Sequence, residues 1–145
     1  MVKELIRRAE SGESLWLPDL RKSFESSSGA RKAIVHLFGS DGSARDYELF
    51  FPPTDDAEEE AFLLRYAAAN VYNFLSAFSG REVKIYCAED LFPLLSALPA
   101  LFDAPEGLGK VRNIARRIHG DFQISLCHIS DCLPINEQIT RCISI

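Results

Sequence analysis

The alternation of apolar and polar residues predicts a β-hairpin between residues 33 and 51. A β-branched and aromatic run at 33–38 is followed by an alternating segment at 46–51. The turn between them contains Asp41-Gly42, and glycine tolerates the positive φ that a tight hairpin turn requires. In the second strand Tyr47, Leu49 and Phe51 point to one face, and Asp46, Glu48 and Phe50 point to the other.

Residues 56–78 have the spacing of one long amphipathic helix. Apolar side chains recur there every three or four positions, at Phe62, Leu63, Tyr66, Ala67, Val71, Phe74, Leu75 and Phe78. Asp55 with Glu58 has the spacing of a capping pair at the start of this helix. We expect the helix to cover one face of a sheet.

Shorter patterns predict the remaining elements. Residues 15–18 are expected to form a short extended or docking piece, because the residue before a proline avoids the α region. The other predicted elements are a helix at 2–10, a helix opening at 107–109 and closing at Gly120, and strands at 83–87, 122–127 and 139–145.

This order of elements predicts an α/β or α+β fold. We expect a β-hairpin, a long helix and then a mixed sheet of about five strands with helices packed on it. Residues 26–29 are serine- and glycine-rich like a linker, so we expect an N-terminal helical arm at 1–29 and a single domain at 30–145. The apolar final strand also raises the expectation that the domain is part of a longer protein.

Composition and charge narrow the classes of function. A chain of 145 residues, 47% of them apolar, can bury a core without a metal or disulfide. A net charge of −5 disfavours nucleic acid and anionic membranes, so we expect neither as a partner. Charges interrupt the N-terminal residues, and no apolar run reaches the roughly 20 residues of a membrane span. We therefore expect a soluble, cytoplasmic protein whose four cysteines are reduced.

Positive charge is concentrated between residues 105 and 120, where four basic residues face one acidic residue. Small residues that open a helix leave backbone N–H groups free to bind an anion. The candidate ligands for a phosphate or nucleotide are Gly107, Gly109, Lys110, Arg112 and Arg116. Neither a Walker loop nor a dinucleotide fingerprint is present, and a solvated amphipathic helix would have the same pattern.

Acidic and histidine residues follow two of the predicted strands. Glu89 and Asp90 come directly after the strand at 83–87, and His128 and Asp131 lie at the end of the strand at 122–127. Ligands of open α/β sheets bind at the carboxyl ends of strands. Parallel strands would gather these side chains into one crevice suited to acid–base chemistry, whereas antiparallel strands would separate them.

Two other groupings have a plain structural interpretation. Asp46 and Glu48 share one strand face, which is also how a solvent-facing strand looks. Cys127, His128, Cys132 and Cys142 are suitable zinc ligands, but no Cys-x-x-Cys spacing brings two sulfurs together. We therefore expect no metal site and no cofactor.

The most continuous apolar stretch runs from residue 91 to residue 102 and contains two prolines. A helix that is apolar on all sides is either central to the core or partly covered by a partner. The residues that would contact a second copy or a neighbouring domain are Leu91, Phe92, Leu94, Leu95, Leu98, Leu101 and Phe102.

The sequence favours a non-catalytic interaction, dimerisation or regulatory domain of a soluble protein, because it carries no catalytic signature. Two alternatives stay open. One is a domain that binds a small ligand or a phosphate or nucleotide. The other is an enzyme of unknown reaction that uses the Asp/His crevice.

Overall fold

The computed structural model describes residues 1–39, 41–78, 80–103, 123–128 and 142–145. They form an α+β fold in which helices pack on a mixed five-stranded sheet, as predicted. In chain order the elements are α1 (Val2–Glu10), α2 (Leu17–Glu25), β1 (Arg31–Gly39), β2 (Ala44–Phe51), α3 (Ala57–Phe78), β3 (Gly80–Cys87), a 3-10 turn (Glu89–Leu91), α4 (Phe92–Leu95), α5 (Leu98–Asp103), β4 (Gln123–His128) and β5 (Cys142–Ser144).

The strand order across the sheet is β2-β1-β3-β4-β5. β1 is antiparallel to both of its neighbours, β3 and β4 are parallel, and β5 is antiparallel to β4. Because β2 and β3 flank β1 from opposite sides, they run in the same direction, and α3 is the crossover that connects them.

β1 and β2 form the predicted hairpin. The register pairs Ala33 with Leu49, so both side chains lie on the same face of the sheet. The turn is closed by the Gly39 N–H, which donates to the Ser43 carbonyl at 2.8 Å. Gly42 has a φ of +86°, a backbone conformation that glycine adopts without steric cost, as the Asp-Gly pattern predicted.

The hydrophobic core lies between one face of the sheet and the helices. Alternate residues of β1, Ala33, Val35 and Leu37, are fully buried on this face. The predicted helix at 56–78 is confirmed as α3, which lies over the sheet. The Tyr47 and Phe74 rings stack with centroids 4.0 Å apart and join β2 to α3.

The start of α3 differs from the prediction by one residue. The helix begins at Ala57, and the carboxylate of Asp56 accepts the backbone N–H of Glu59 at 2.9 Å. In return, the Glu59 carboxylate accepts the backbone N–H of Asp55 at 3.1 Å. The predicted pair of Asp55 with Glu58 is therefore wrong, because three acidic residues in a row allow the capping pair to shift along the chain.

α2 is an element that the sequence analysis missed. Trp16 is extended, as expected of the segment 15–18, but Leu17 begins a helix with Pro18 in its first turn. This part of the prediction is wrong because proline is tolerated in the first helical turn, where its missing N–H has no intrahelical partner.

Both N-terminal helices contribute to the same buried cluster as the sheet and α3. The Phe24 ring meets the Tyr66 ring edge-on at 4.8 Å, and an Arg21 Nη1–H donates to Asn70 Oδ1 at 2.6 Å. The buried side chains of α1 and α2 are Val2, Leu5, Ile6, Leu17, Leu20 and Phe24. The division of the chain at residue 29 stays a prediction.

The apolar run at 91–102 forms the end of the 3-10 turn, α4 and most of α5. Leu91, Leu95 and Leu98 are at most 1% exposed and belong to the core. Phe92, Leu94 and Leu101 are half-buried at its margin. No helix in the part of the chain described above has the length and apolar character needed to cross a bilayer.

Three predicted elements fall partly or wholly outside the described residues. The predicted helix at 107–120 lies outside them, as do residues 122 and 139–141 of the two last predicted strands. Within the described residues these strands correspond to β4 and β5.

Candidate functional site

The carboxyl ends of β3 and β4 meet at one edge of the sheet. The strands are parallel, and their register places Cys87 opposite His128. Glu89 and Asp90 follow β3 in the 3-10 turn. The arrangement that the sequence could not decide is therefore the parallel one, which brings Glu89, Asp90 and His128 to the same edge. Asp131 lies outside the described residues.

Two side-chain contacts organise this edge. Glu89 Oε1 lies 4.0 Å from His128 Nε2, and Arg31 Nη1 donates to Asp90 Oδ2 at 2.9 Å. Arg31 also donates from Nη2 to the Pro52 carbonyl at 3.3 Å. Sequence analysis missed Arg31, although as the first residue of a strand antiparallel to β3 it must lie where β3 ends.

The chemistry available at this edge is limited. Burial, with a smaller effect of the nearby Asp90 charge, raises the pKa of the Cys87 thiol to about 12. Cys87 is therefore protonated at neutral pH and is a poor nucleophile. Among the described residues, no group of three or more histidine, cysteine or carboxylate side chains is arranged to hold a metal ion.

The carboxylates of β2 form cross-strand pairs. Asp46 bonds to His36 Nδ1 on β1, and Glu48 lies 3.4 Å from the Lys32 ammonium. Both carboxylates are more than half exposed. These contacts are those of a solvated sheet face, which was the plain interpretation of the Asp46/Glu48 pair.

The expectation of reduced thiols is wrong for Cys127, which is disulfide-bonded. The expectation came from the absence of an export signal, and that absence does not prevent two cysteines from approaching in the fold. Cys87 is free and buried. Cys132 lies outside the described residues, as do all five candidate anion ligands, Gly107, Gly109, Lys110, Arg112 and Arg116.

A second concave surface, which we call the α1–α2 groove, lies between the two N-terminal helices. It is an open cavity of about 330 Å³. Its floor is apolar and nearly buried, and consists of Leu5, Leu15 and Leu20. Its charged rim consists of Arg8, Glu13 and Asp19.

Trp16 lines the α1–α2 groove and is 54% exposed. It stands at the N-cap position of α2 with an extended backbone. Among the described residues, Met1 and Ile143 are the only other large apolar side chains with comparable exposure. The segment 15–18 was predicted as a short extended or docking piece, and the groove itself depends on how α1 and α2 pack.

Comparison of the chain with known protein families, with curated proteins and with solved structures finds no match. The geometry of the two surfaces described above is therefore the basis for the inference about function.

Proposed function

We propose that the protein is a non-catalytic interaction module and that the α1–α2 groove is its docking site. The observation that carries this proposal is the half-exposed indole of Trp16 beside a cavity with a leucine floor. Tryptophan, with tyrosine and arginine, is enriched among the side chains that dominate binding energy at interfaces. A cavity of about 330 Å³ is at the lower end of the range of ligand pockets and suits one side chain of a partner.

The edge of the sheet where β3 and β4 end, which we call the strand-end crevice, favours an interaction module over an enzyme. Its Asp90 carboxylate is bonded to Arg31, and its buried Cys87 thiol is protonated at neutral pH. Neither the Asp90 carboxylate nor the Cys87 thiol is therefore available as a general base or nucleophile.

The proposal is tested with Trp16→Ala. Proteins captured from cells that express this chain are identified, and the Kd of a purified partner is measured for the wild type and the variant. We expect Trp16→Ala to weaken binding at least about 10-fold, because it removes the anchor of the groove. The matched control is Ile143→Ala, since Ile143 is 55% exposed on β5. Equal binding by the wild type and Trp16→Ala would overturn the proposal.

The apolar run at 91–102 is a further proposed contact surface, restricted to its half-buried members. Phe92, Leu94 and Leu101 are half-buried and retain accessible surface, whereas the Phe102 side chain lies outside the described part of the structure. Sedimentation of the wild type and of Leu94→Asp tests it. A self-association that Leu94→Asp abolishes supports a contact between copies of the chain, whereas an unchanged sedimentation profile contradicts it.

A second candidate function is the binding of a small anion at the strand-end crevice. It is favoured by the parallel pairing of β3 with β4 and by Arg31 Nε, a buried donor to which the described residues offer no acceptor. We expect inorganic phosphate to raise the Tm of the wild type and not that of Arg31→Met. Lys32→Met, which removes a neighbouring charge, is the control. No rise in the wild type would contradict this function.

We also propose a cytoplasmic location, with one observation against it. Disulfides are rare in the cytosol, and Cys127 is disulfide-bonded. Cell fractionation combined with alkylation of thiols before lysis tests the proposal. Recovery of the protein outside the cytosol with Cys127 oxidised would overturn it.

A further inference from the structure

Of the three charged side chains on the rim of the α1–α2 groove, two form an ion pair with each other and the third does not take part. Arg8 donates from Nε and Nη2 to the two carboxylate oxygens of Glu13, at 3.0 and 2.7 Å. Each of these groups therefore neutralises the other. Asp19 is exposed, and within the described part of the chain its carboxylate makes no hydrogen bond or ion pair. The groove consequently presents one unbalanced negative charge.

Trp16 and Asp19 lie on the same side of the start of α2. They are three residues apart, a spacing that makes two side chains neighbours at a helix start, and both line the groove. The face of an indole ring attracts cations, and a carboxylate beside it adds a charge of the right sign. The two groups together have the chemistry that a cation-binding site requires.

The floor of the groove sets a second requirement. Leu5, Leu15 and Leu20 line the groove and are 7%, 2% and 3% exposed. An occupant with only a charge would leave this apolar surface unused. A long side chain with an aliphatic stem and a cationic end satisfies the floor and the rim at once.

Arginine fits these requirements better than lysine. Its planar guanidinium stacks on an aromatic ring and can bond a carboxylate with two parallel N–H groups, whereas an ammonium is compact and more strongly hydrated. Resting on the proposed function, we propose that the α1–α2 groove binds an arginine side chain presented by a segment of a partner protein. The stem lies on the leucine floor, and the guanidinium lies between the Trp16 ring and the Asp19 carboxylate.

The experiment uses a displayed random peptide library panned against the immobilised full chain, with Trp16→Ala as counter-selection. We expect the Trp16-dependent peptides to share one arginine. In synthetic peptides, replacement of this arginine by citrulline, its neutral isostere, should weaken binding at least about 10-fold, and replacement by lysine should weaken it less. Because Trp16 is the chain's single tryptophan, its fluorescence reports the titration.

Variants of the rim give an independent measurement. Asp19→Asn should weaken binding of the arginine peptide about 10-fold and remove most of the difference between arginine and citrulline. Glu25→Gln removes the same charge from α2 at an exposed position outside the groove, and we expect it to leave Kd within about 2-fold. Thermal unfolding of each variant verifies that the fold is intact.

The outcomes separate this inference from the proposed function. Trp16-dependent peptides without a shared arginine, or a citrulline peptide that binds as tightly, overturn the inference and leave the docking groove standing. A Trp16-dependent dimer of the free protein in sedimentation also overturns it, because the occupant is then a second copy. Peptides that bind Trp16→Ala as well as the wild type overturn the proposed function itself.

Discussion

The Arg31 guanidinium donates a 2.9 Å hydrogen bond to the Asp90 carboxylate and so joins the start of β1 to the turn after β3. A double-mutant cycle with Arg31→Gln and Asp90→Asn should give a coupling free energy of about 0.5–1 kcal/mol, because both side chains are partly exposed. Arg31→Gln should cost more than Asp90→Asn, since it also loses the bond to the Pro52 carbonyl. Urea unfolding measures each value.

The matched control for this cycle is the pair Lys32 and Glu48, which are 3.4 Å apart and more exposed. We expect a smaller coupling there. A coupling free energy of zero for Arg31 with Asp90 would show that the contact does not stabilise the fold.

The capping of α3 gives a prediction that distinguishes two neighbouring aspartates. Asp56→Ala should lower the Tm by a few degrees, because the Glu59 N–H loses its acceptor at the helix start. Asp55→Ala should have a smaller effect, since Asp55 takes part through its backbone N–H. A larger loss from Asp55→Ala would restore the sequence-based assignment of the cap.

The contribution of Asp56 to the stability of the fold should depend on pH. The hydrogen bond from Lys3, followed by the bond from the Glu59 N–H, lowers the pKa of Asp56 below its ordinary value of 3.8. A lowered folded-state pKa means that this stability is present above the unfolded pKa and is lost as the pH falls through the folded pKa. Tm should therefore differ between the wild type and Asp56→Asn at neutral pH, and the difference should shrink below about pH 3.8. A constant difference would argue against an ionic contribution.

Leu94 and Leu95 are adjacent residues of α4 with different surroundings. Leu95 is 1% exposed, so Leu95→Ala should lower the free energy of unfolding by about 2–5 kcal/mol through loss of burial and the cavity left behind. Leu94 is half-buried, and Leu94→Ala should cost about 1 kcal/mol or less. Urea unfolding at equal protein concentration compares them. Equal losses would contradict the placement of Leu95 in the core.

Cys87 is a free thiol and Cys127 is disulfide-bonded, so the two residues should react differently with an alkylating reagent. Iodoacetamide should not modify Cys87 in the folded protein, because the thiol is buried and protonated. In unfolded, non-reduced protein it should modify Cys87 and leave Cys127 unmodified, since Cys127 is disulfide-bonded. Reduction should lower the free energy of unfolding by about 2–4 kcal/mol. Peptide mapping would contradict the disulfide if it found Cys127 alkylated without reductant.

Local patterns predicted the hairpin and α3 because their determinants lie within the segments themselves. The Asp41-Gly42 turn and the alternation around Leu49 specify one register, and the apolar spacing of α3 specifies one buried face. α2 was missed because Leu17-Pro18 is compatible with both an extended segment and a helix start. Only burial of Phe24 against Tyr66 decides between them.

The two candidate sites were predictable to different degrees. Glu89, Asp90 and His128 were identified by their position after strands, but whether they meet depends on the direction of β4, which the connection from β3 does not determine. The α1–α2 groove was out of reach, because the exposure of Trp16 results from how two separate helices fit over Leu15 and Leu20. The periodicity of a sequence predicts which face of a helix is apolar. It does not predict where two packed helices leave a groove between them.

The position of β1 between β2 and β3 has a consequence for synthesis on the ribosome. By the time Cys87 has emerged, the nascent chain holds α1, α2, α3 and three adjacent strands, which is an unbroken antiparallel unit with its helical cover. The outer edge of β3 is then unpaired until β4 is translated. An unpaired strand edge is a template for pairing with another chain, so crowded polysomes are where misassembly of this protein would begin.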